Sequence, residues 1–227
     1  MKAKPKKYVI AIDGPAGSGK STTAQILARK LKFYYLDTGS MYRALTWKAI
    51  NQNLDVANSN QMQKLALITK IDFKKYQGGN SIFLDGKNIS NKISSAEVNR
   101  LVSILSKHKE VRQIMVKKQR EFAKDKNIVI EGRDTTTVVF PKADLKVFLK
   151  AGLTERAKRK FKQLKQKVKT SLKEQARLIR LRDKLDRSRK TSPLKVSPEA
   201  IIIDTTNLTV TQQVDGILKI FKEKMTA

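Results

Sequence analysis

Cysteine is absent from this 227-residue sequence, and histidine occurs only once, as His108. The lack of cysteine excludes disulfide bridges, thiolate metal sites and cysteine nucleophiles, and it fits a reducing compartment. A serine–histidine–aspartate centre would depend on that single imidazole, which stands in a lysine-rich stretch, and we expect His108 to be a solvated surface residue. The sequence therefore favours neither thiol nor imidazole catalysis.

Long apolar runs are missing as well. The apolar run nearest the N-terminus spans only residues 8–12, whereas the hydrophobic part of a signal peptide has roughly 7 to 15 residues. No stretch approaches the ~18 to 20 apolar residues that a membrane span needs. We therefore expect a cytoplasmic protein with no membrane partner.

Acidic residues are scarce, because 20 Asp and Glu stand against 49 Lys and Arg, which gives a net charge of +29. A surface this basic binds polyanions without selectivity at low salt. The charge therefore suggests a nucleic-acid-binding ATPase as one interpretation, although we expect no specific nucleic-acid partner. With 40% hydrophobic residues, the chain is long enough for one core, or for one core with a small appended lobe.

Short apolar runs flanked by turn or polar residues alternate with segments of helical spacing. The runs cover residues 8–12, 33–36, 128–130, 145–149 and 200–203. Runs of this kind are typical of buried parallel strands. Strands that alternate with helices predict an α/β fold, in which a parallel sheet is flanked by helices.

One stretch departs from this alternation. Residues 71–76 and 81–85 are rich in β-formers and are separated by a Gly-Gly turn at 77–80, which predicts an antiparallel hairpin. We expect the hairpin to belong to a small lobe, about residues 62–100, inserted into a single domain that spans residues 1–227. A hairpin on the edge of the main sheet is the alternative.

The most specific motif is a glycine-rich loop between the first apolar run and a helical pattern. It comprises Gly14, Pro15, Ala16, Gly17, Ser18, Gly19, Lys20 and Ser21, which match G-x-x-x-x-G-K-[ST], the P-loop of nucleotide-binding proteins. Together with Thr22, these residues are expected to bind the ATP phosphates through backbone N–H groups at the start of a helix. Lys20 would reach the β- and γ-phosphates, and the Ser21 hydroxyl would ligate Mg²⁺.

Arginines outside the loop indicate what faces ATP. Arg43 and Arg133 follow the second and third apolar runs, near the carboxyl ends of predicted strands, where ligands bind in open α/β sheets. Arg182, Asp186 and Arg189 recur at i, i+4 and i+7, which predicts one helix face. A simple salt bridge between Arg182 and Asp186 is the alternative for that pair. Beside a P-loop, the arginines favour a second phosphorylated substrate.

At this point the sequence resembles the bacterial cytidylate kinases, a branch of the nucleoside monophosphate kinases, from residue 8 to about 220. The segments that carry the resemblance are DGPAGSGKST at 13–22, LDTGSMYR at 36–43, the hairpin lobe, EGRD at 131–134 with TVVFP at 137–141, TERAKRK at 154–160, RDKLDRSR at 182–189 with Pro193-Leu194, and IDTTNLT at 203–209. The resemblance implies a P-loop NTPase-type sheet, a monophosphate-binding lobe and a basic helical lid at about residues 153–170.

The resemblance also implies a set of binding and catalytic residues. It implies Thr38, Arg112 and Asp134 for the cytosine, Ser103, Arg182 and Asp186 for the pentose, and Arg43, Arg133 and Arg189 for the 5′-phosphate of CMP. Catalysis would fall to Lys20 with the lid residues Arg156 and Arg159. The implied reaction transfers a phosphoryl group from ATP to CMP, and also to dCMP, in a monomer that uses Mg²⁺.

Two positions depart from the family pattern. Thr136 stands where the family usually has glycine in GRD-x-G-T, and we expect an altered backbone beside Asp134. Gly152, Leu153 and Thr154 replace the usual Ser-Pro-Glu entry to the lid, which should change only helix capping. A kinase acting on UMP or AMP remains the alternative within the same enzyme class.

Overall fold

A computed structural model describes residues 6–76, 79–164 and 170–226 of the chain. Within these residues the chain forms eight strands, eight α-helices and one π-helical turn. The strands are β1 (Val9–Asp13), β2 (Tyr34–Asp37), β3 (Ile71–Tyr76), β4 (Gly79–Leu84), β5 (Lys87–Asn88), β6 (Ile128–Gly132), β7 (Leu145–Lys150) and β8 (Ile201–Asp204). The helices are α1 (Lys20–Leu31), α2 (Thr38–Asn51), α3 (Ser59–Ile68), α4 (Ala96–Leu105), α5 (Lys109–Ala123), α6 (Leu153–Leu164), α7 (Leu172–Arg187) and α8 (Val210–Thr226), and the π-helical turn is Thr135–Val139.

The chain divides into two compact units. The first comprises Met1–Tyr35 and Asp125–Ala227, and the second comprises Leu36–Lys124. The predicted lobe at residues 62–100 lies inside the second unit. Of the predicted lid, residues 165–169 lie outside the described residues, as do turn residues 77 and 78 of the predicted hairpin.

The first unit is built on a five-stranded sheet in the order β2-β6-β1-β7-β8. β1 pairs in parallel with β6 and β7, and β7 pairs in parallel with β8, so the predicted α/β fold is confirmed. Ile10 and Ile12 of β1 are fully buried and belong to one core with Leu27 of α1 and Ile217 of α8. Because a strand bonded on both sides is rigid, the carboxyl end of β1 is a firm base for the loop that follows it.

β8 is a strand, as predicted, but it is not a buried one. The exposed fractions are 37% for Ile201 and 53% for Ile202. β8 stands last in the sheet order and pairs only with β7, so the expectation of burial is wrong for this strand. An apolar run of four residues does not distinguish an edge strand from a central one.

The second unit combines α2 to α5 with a separate three-stranded antiparallel sheet in the order β3-β4-β5. β3 and β4 form the predicted hairpin, with Ile71 opposite Leu84 and Phe73 opposite Ile82. Leu84 and Ile82 are buried with Ala44 of α2 in the core of this unit. The hairpin therefore belongs to its own sheet and does not extend the five-stranded one. Among the described helices of the whole chain, none joins the length and the apolar composition needed to traverse a bilayer.

Candidate active site

The glycine-rich loop connects β1 to α1, as its sequence predicts. A Cβ on Gly14 would lie 2.1 Å from the carbonyl oxygen of Leu149 in β7, so only glycine allows this approach of the loop to the neighbouring strand. Gly19 precedes α1 with a φ of 96°, a left-handed conformation that glycine adopts without strain. The loop therefore places its N–H groups at the N-terminus of α1, where the helix dipole favours an anion.

Lys20 and Ser21 begin α1 beside the end of β6. The Lys20 side chain is buried, and its Nζ donates to the carbonyl oxygen of Pro15 at 2.8 Å. The Ser21 hydroxyl donates to Oε1 of Glu131 at 2.6 Å, and Glu131 is itself buried. Thr22 follows in the first turn of α1 and is exposed. The loop thus contributes one buried cation, Lys20, and one hydroxyl, that of Ser21, which is paired with the carboxylate of Glu131.

Burial, and next the positive charge of Arg133, lower the pKa of Lys20 to about 7, although Glu131, Asp13 and Asp186 act in the opposite direction. A lysine with this pKa is only partly protonated near neutral pH. A polyphosphate would raise its pKa again, because an adjacent anion favours the ammonium form. The site is therefore electrostatically prepared for an anionic ligand.

Ser21 and Glu131 fit a magnesium ion. Mg²⁺ prefers oxygen ligands and is usually held by one or two carboxylates together with substrate phosphates and water. The hydroxyl–carboxylate pair next to the phosphate loop supplies oxygens of that kind. Over the described residues no cluster of three or more His, Asp or Glu side chains is arranged to hold a metal ion.

Arg156 and Arg159 of α6 lie against the glycine-rich loop. Arg156 is buried, and its Nη1 donates to Oδ2 of Asp183 at 2.6 Å and to the carbonyl oxygen of Ala16 at 3.0 Å. Arg159 donates from Nε to Glu155 at 3.0 Å and from Nη1 to Oγ1 of Thr205 at 3.1 Å. Both predicted lid arginines are thus held by protein oxygens at the edge of the loop.

Gly152 holds the entry to α6 through its own backbone groups. The helix begins at Leu153, and the preceding Gly152 donates its N–H to Oγ1 of Thr206 at 2.9 Å. The carbonyl oxygen of Gly152 accepts from the N–H of Arg156. The first turn of α6 is thus formed from Gly152 onward, and the effect of the altered entry on capping stays a prediction.

Asp186 gathers three of the predicted CMP-binding arginines. It is fully buried, and its carboxylate accepts from Nε of Arg133 at 2.8 Å, from Nε of Arg182 at 3.2 Å, and from Arg189. Burial alone would raise the pKa of Asp186, but the charges of Arg133, Arg182 and Arg189 lower it to about 2. The result is a compact cluster with one negative and three positive groups.

One detail of this cluster differs from the sequence prediction. α7 ends at Arg187, so Arg189 is not on the same helix face as Arg182 and Asp186. Arg189 nevertheless reaches Asp186 from just beyond the helix end. The prediction of one shared helix face is therefore wrong for Arg189, although Arg189 does bind Asp186 as its inclusion in this group implied.

Of the remaining predicted CMP-binding residues, Asp134 belongs to the first unit, buried directly after β6, and four belong to the second unit. Thr38 is buried at the start of α2, and Arg43, one turn further along, donates to Oδ2 of Asp37 at 2.6 Å. Arg112 of α5 is buried with its guanidinium 5.4 Å from the ring centre of Tyr42, and it donates to the carbonyl oxygen of Ser106 at 3.3 Å.

Ser103 lies on α4, three residues before Ser106. Its carbonyl oxygen accepts from the Ser106 hydroxyl at 3.3 Å. His108 is half-buried, with its Nε2 2.9 Å from the carbonyl oxygen of Val56. The expectation of a solvated surface histidine is therefore wrong, since its ring makes a structural contact within this unit.

Sequence reasoning missed several residues around the loop. Glu131 stands in the quoted EGRD segment, and its position at the end of a strand adjacent to β1 was the available signal. Asp183 lies inside the RDKLDRSR segment and contacts both Arg156 and the N–H of Ala16. Thr205 donates to the carbonyl oxygen of Ser18 at 3.0 Å, and no local pattern indicates that contact.

The chain is similar to known proteins over nearly its whole length. Residues 10–223 match a family model described as cytidylate kinase. A cytidylate kinase from Caldanaerobacter subterraneus subsp. tengcongensis is 44% identical over 215 residues, which cover 94% of each chain. One from Lysinibacillus sphaericus is 42% identical over 221 residues, which cover 97% of this chain and 99% of the relative. A gluconokinase structure from Sinorhizobium meliloti shares the fold, with a TM-score of 0.52 at 9% identity and coverage of 97% of this chain and 94% of that one.

Proposed function

The chain belongs to the cytidylate kinase family, and on that premise we propose how its residues phosphorylate CMP with ATP. An oxygen of the CMP phosphate attacks the γ-phosphorus of ATP, the bond from that phosphorus to the β,γ-bridging oxygen breaks, and ADP leaves as CDP forms. The second pKa of a phosphomonoester is about 6, so the acceptor is ionised at neutral pH without a general base. The observation that carries the proposal is the buried Lys20 in a glycine-rich loop at the head of α1.

On the ATP side, the residues of the loop hold the phosphates. The N–H groups of the loop and Lys20 bind the β- and γ-phosphate oxygens, with Lys20 exchanging the carbonyl of Pro15 for the ligand. Arg156 and Arg159 stabilise the charge of the transferring group, because guanidinium groups bind phosphate through paired N–H donors. Asp183 supports this arrangement, since it bonds both Arg156 and the N–H of Ala16.

Ser21 and Glu131 would hold Mg²⁺ together with the ATP phosphates. The bound ion would supply charge neutralisation at the β- and γ-oxygens. Glu131 already orients the Ser21 hydroxyl by accepting a hydrogen bond from it at 2.6 Å. These two side chains are the protein ligands that we propose.

On the CMP side, the first unit supplies Arg133 and Arg189 for the 5′-phosphate and Arg182 with Asp186 for the pentose. Asp186 would accept from a sugar hydroxyl beside the arginines that it already binds, since a carboxylate has about four acceptor positions. Asp134 accepts from the cytosine amino group, which uracil lacks.

The second unit supplies Arg43 for the 5′-phosphate, Ser103 for the pentose, and Thr38 with Arg112 for the base. Arg112 donates to the acceptors of the cytosine ring, O2 and N3. Phosphorylation of dCMP, a monomeric state, a cytoplasmic location and the lack of a specific nucleic-acid partner remain predictions.

A panel of monophosphates tests the function. ADP release would be followed by a coupled assay with CMP, dCMP, UMP and AMP at equal concentrations, in the presence of Mg²⁺. We expect CMP to be the best acceptor, with Lys20→Ala losing at least about 100-fold in kcat and the exposed Lys30→Ala on the same helix keeping full activity.

Two outcomes would contradict the proposal. A higher kcat/KM for UMP or AMP than for CMP would assign the enzyme to another monophosphate. ATP turnover stimulated by RNA or DNA and not by CMP would favour the nucleic-acid-binding ATPase that the charge suggests.

A further inference from the structure

Asp13, the last residue of β1, is a fully buried carboxylate held by two consecutive threonines. Its Oδ1 accepts from the N–H of Thr135 at 2.9 Å and from the Thr135 hydroxyl at 2.7 Å. Its Oδ2 accepts from the N–H of Thr136 at 2.7 Å and from the Thr136 hydroxyl at 2.6 Å. All three residues are buried, so water does not compete for these four bonds.

The bonds join two segments with different functions. Asp13 directly precedes Gly14, the first residue of the phosphate loop. Thr135 and Thr136 begin the π-helical turn that directly follows Arg133 and Asp134. One buried carboxylate therefore connects the start of the ATP-binding loop to the turn that directly follows two proposed CMP-binding residues.

The two segments differ in how firmly the rest of the fold holds them. β1 is bonded along its length to β6 and β7, up to Asp13 itself. The turn at 134–136 follows the end of β6, and its internal bonds run from Val138 and Val139 back to the carbonyl oxygen of Asp134. If a bond to Asp13 is lost, the turn should shift while β1 stays in place.

The Thr136 hydroxyl adds a side-chain bond to this arrangement. Any residue other than proline offers a backbone N–H here, and the threonine hydroxyl adds a second donor. Glycine would supply the N–H but not the hydroxyl. The side-chain bond from Thr136 Oγ1 to Asp13 Oδ2 is thus an addition to a backbone contact.

We propose that Thr136 is a positioning residue for base selection, because its hydroxyl fixes the turn to Asp13 and thereby sets the position of Asp134. The proposal rests on the proposed function, since it assigns Asp134 to the cytosine amino group. A misplaced Asp134 should weaken CMP more than UMP, which makes no bond to that carboxylate. ATP binding should be preserved, because β1 continues to support the phosphate loop.

The neighbouring residue offers a matched control. The Thr137 hydroxyl is buried and makes no hydrogen bond to any described residue. Thr136→Val and Thr137→Val remove the same group from adjacent positions with little change in shape. Thr136→Ser retains the hydroxyl and should restore the behaviour of the parent.

The experiment measures kcat/KM for CMP and UMP, KM for ATP, and the dissociation constant of CMP by calorimetry in all four proteins. For Thr136→Val we expect kcat/KM for CMP to fall about tenfold or more, because the cytosine amino group loses its bond to the Asp134 carboxylate, and we expect a smaller ratio of kcat/KM for CMP to that for UMP. KM for ATP should stay within about twofold. Thr137→Val and Thr136→Ser should resemble the parent, and Thr136→Ala replaces the valine variant if that protein does not fold.

Three outcomes overturn the assignment. An unchanged CMP-to-UMP ratio in Thr136→Val would leave the hydroxyl only a structural role. Equal losses in the valine variants at 136 and 137 would show that the bond to Asp13 is irrelevant. If the parent protein itself fails to phosphorylate CMP, the proposed function falls and this assignment falls with it, a result that the parent alone reveals.

Discussion

Replacement of Asp186 by asparagine should destabilise the protein, because three arginines depend on this one carboxylate. Asp186 is fully buried and accepts from Arg133, Arg182 and Arg189. Asparagine keeps the shape but removes the charge, and its NH₂ group cannot accept from a guanidinium. The variant therefore leaves three neighbouring positive charges without their shared counter-charge.

The magnitude follows from the pKa of Asp186, which is lowered from 3.8 to about 2 in the folded protein. A shift of this size corresponds to about 2 kcal/mol of folding stability. Because the folded-state pKa is the lower one, this stabilisation is present above pH 4 and is lost as the pH falls towards 2. For a chain of this length, about 2 kcal/mol lowers Tm by roughly 4 to 8 °C.

The assay is thermal or urea unfolding of the parent and Asp186→Asn at pH 7, repeated at intervals down to pH 2. Asp215→Asn is the control, since Asp215 forms an exposed ion pair with Lys30 and exposed pairs contribute little. We expect a large difference between parent and Asp186→Asn at pH 7 that narrows below pH 4. Equal stability at pH 7, or a difference that persists unchanged at low pH, would refute the argument that the arginines stabilise the Asp186 anion.

Three further predictions concern ligands. ATP binding at pH 8 should be coupled to protonation of Lys20, whose pKa is about 7 without ligand. The calorimetric heat of ATP binding should therefore vary with the ionisation enthalpy of the buffer in the parent and not in Lys20→Met. Heats that do not depend on the buffer in the parent would contradict this. Arg43→Ala should raise KM for CMP much more than KM for ATP, because it removes a charge-assisted contact that contributes about 1.5 to 3 kcal/mol of binding free energy. Equal increases in both KM values would mean that Arg43 does not bind CMP. Asp134→Ala should reduce the kcat/KM preference for CMP over UMP, and an unaltered preference would mean that other residues read the base.

The fold could be predicted from the sequence where local pattern and global position agree. Buried strands such as β1 and β6 are continuous apolar runs, and the β3–β4 hairpin follows from two β-rich runs around a Gly-Gly turn. The exposure of Ile201 and Ile202 could not be predicted, because an edge position depends on which strand is the last one added to the sheet. The end of α7 before Arg189 was missed for a related reason, since the i,i+7 spacing continues past the helix.

The candidate site could likewise be predicted only in part from the sequence. The glycine-rich loop is contiguous, and its spacing alone indicates phosphate binding. Glu131, Asp183 and Thr205 meet the loop from residues more than 100 positions away along the chain. Such contacts depend on the sheet order and on the packing of α7, which local sequence does not encode. The role of Asp13 likewise could not be predicted, because its partners Thr135 and Thr136 lie 122 and 123 positions further along the chain.

The strand order β2-β6-β1 has a consequence for the folding of a growing chain. β1 and β2 are made first, but they are not neighbours in the finished sheet, and the place between them is filled by a strand that begins at Ile128. The pairing of Val9 with Ile128 spans the whole of the second unit in the sequence, and contacts so distant in sequence form slowly. A nascent chain that ends before residue 128 therefore exposes the open edges of two apolar strands, and protection of those edges should begin only when β6 arrives.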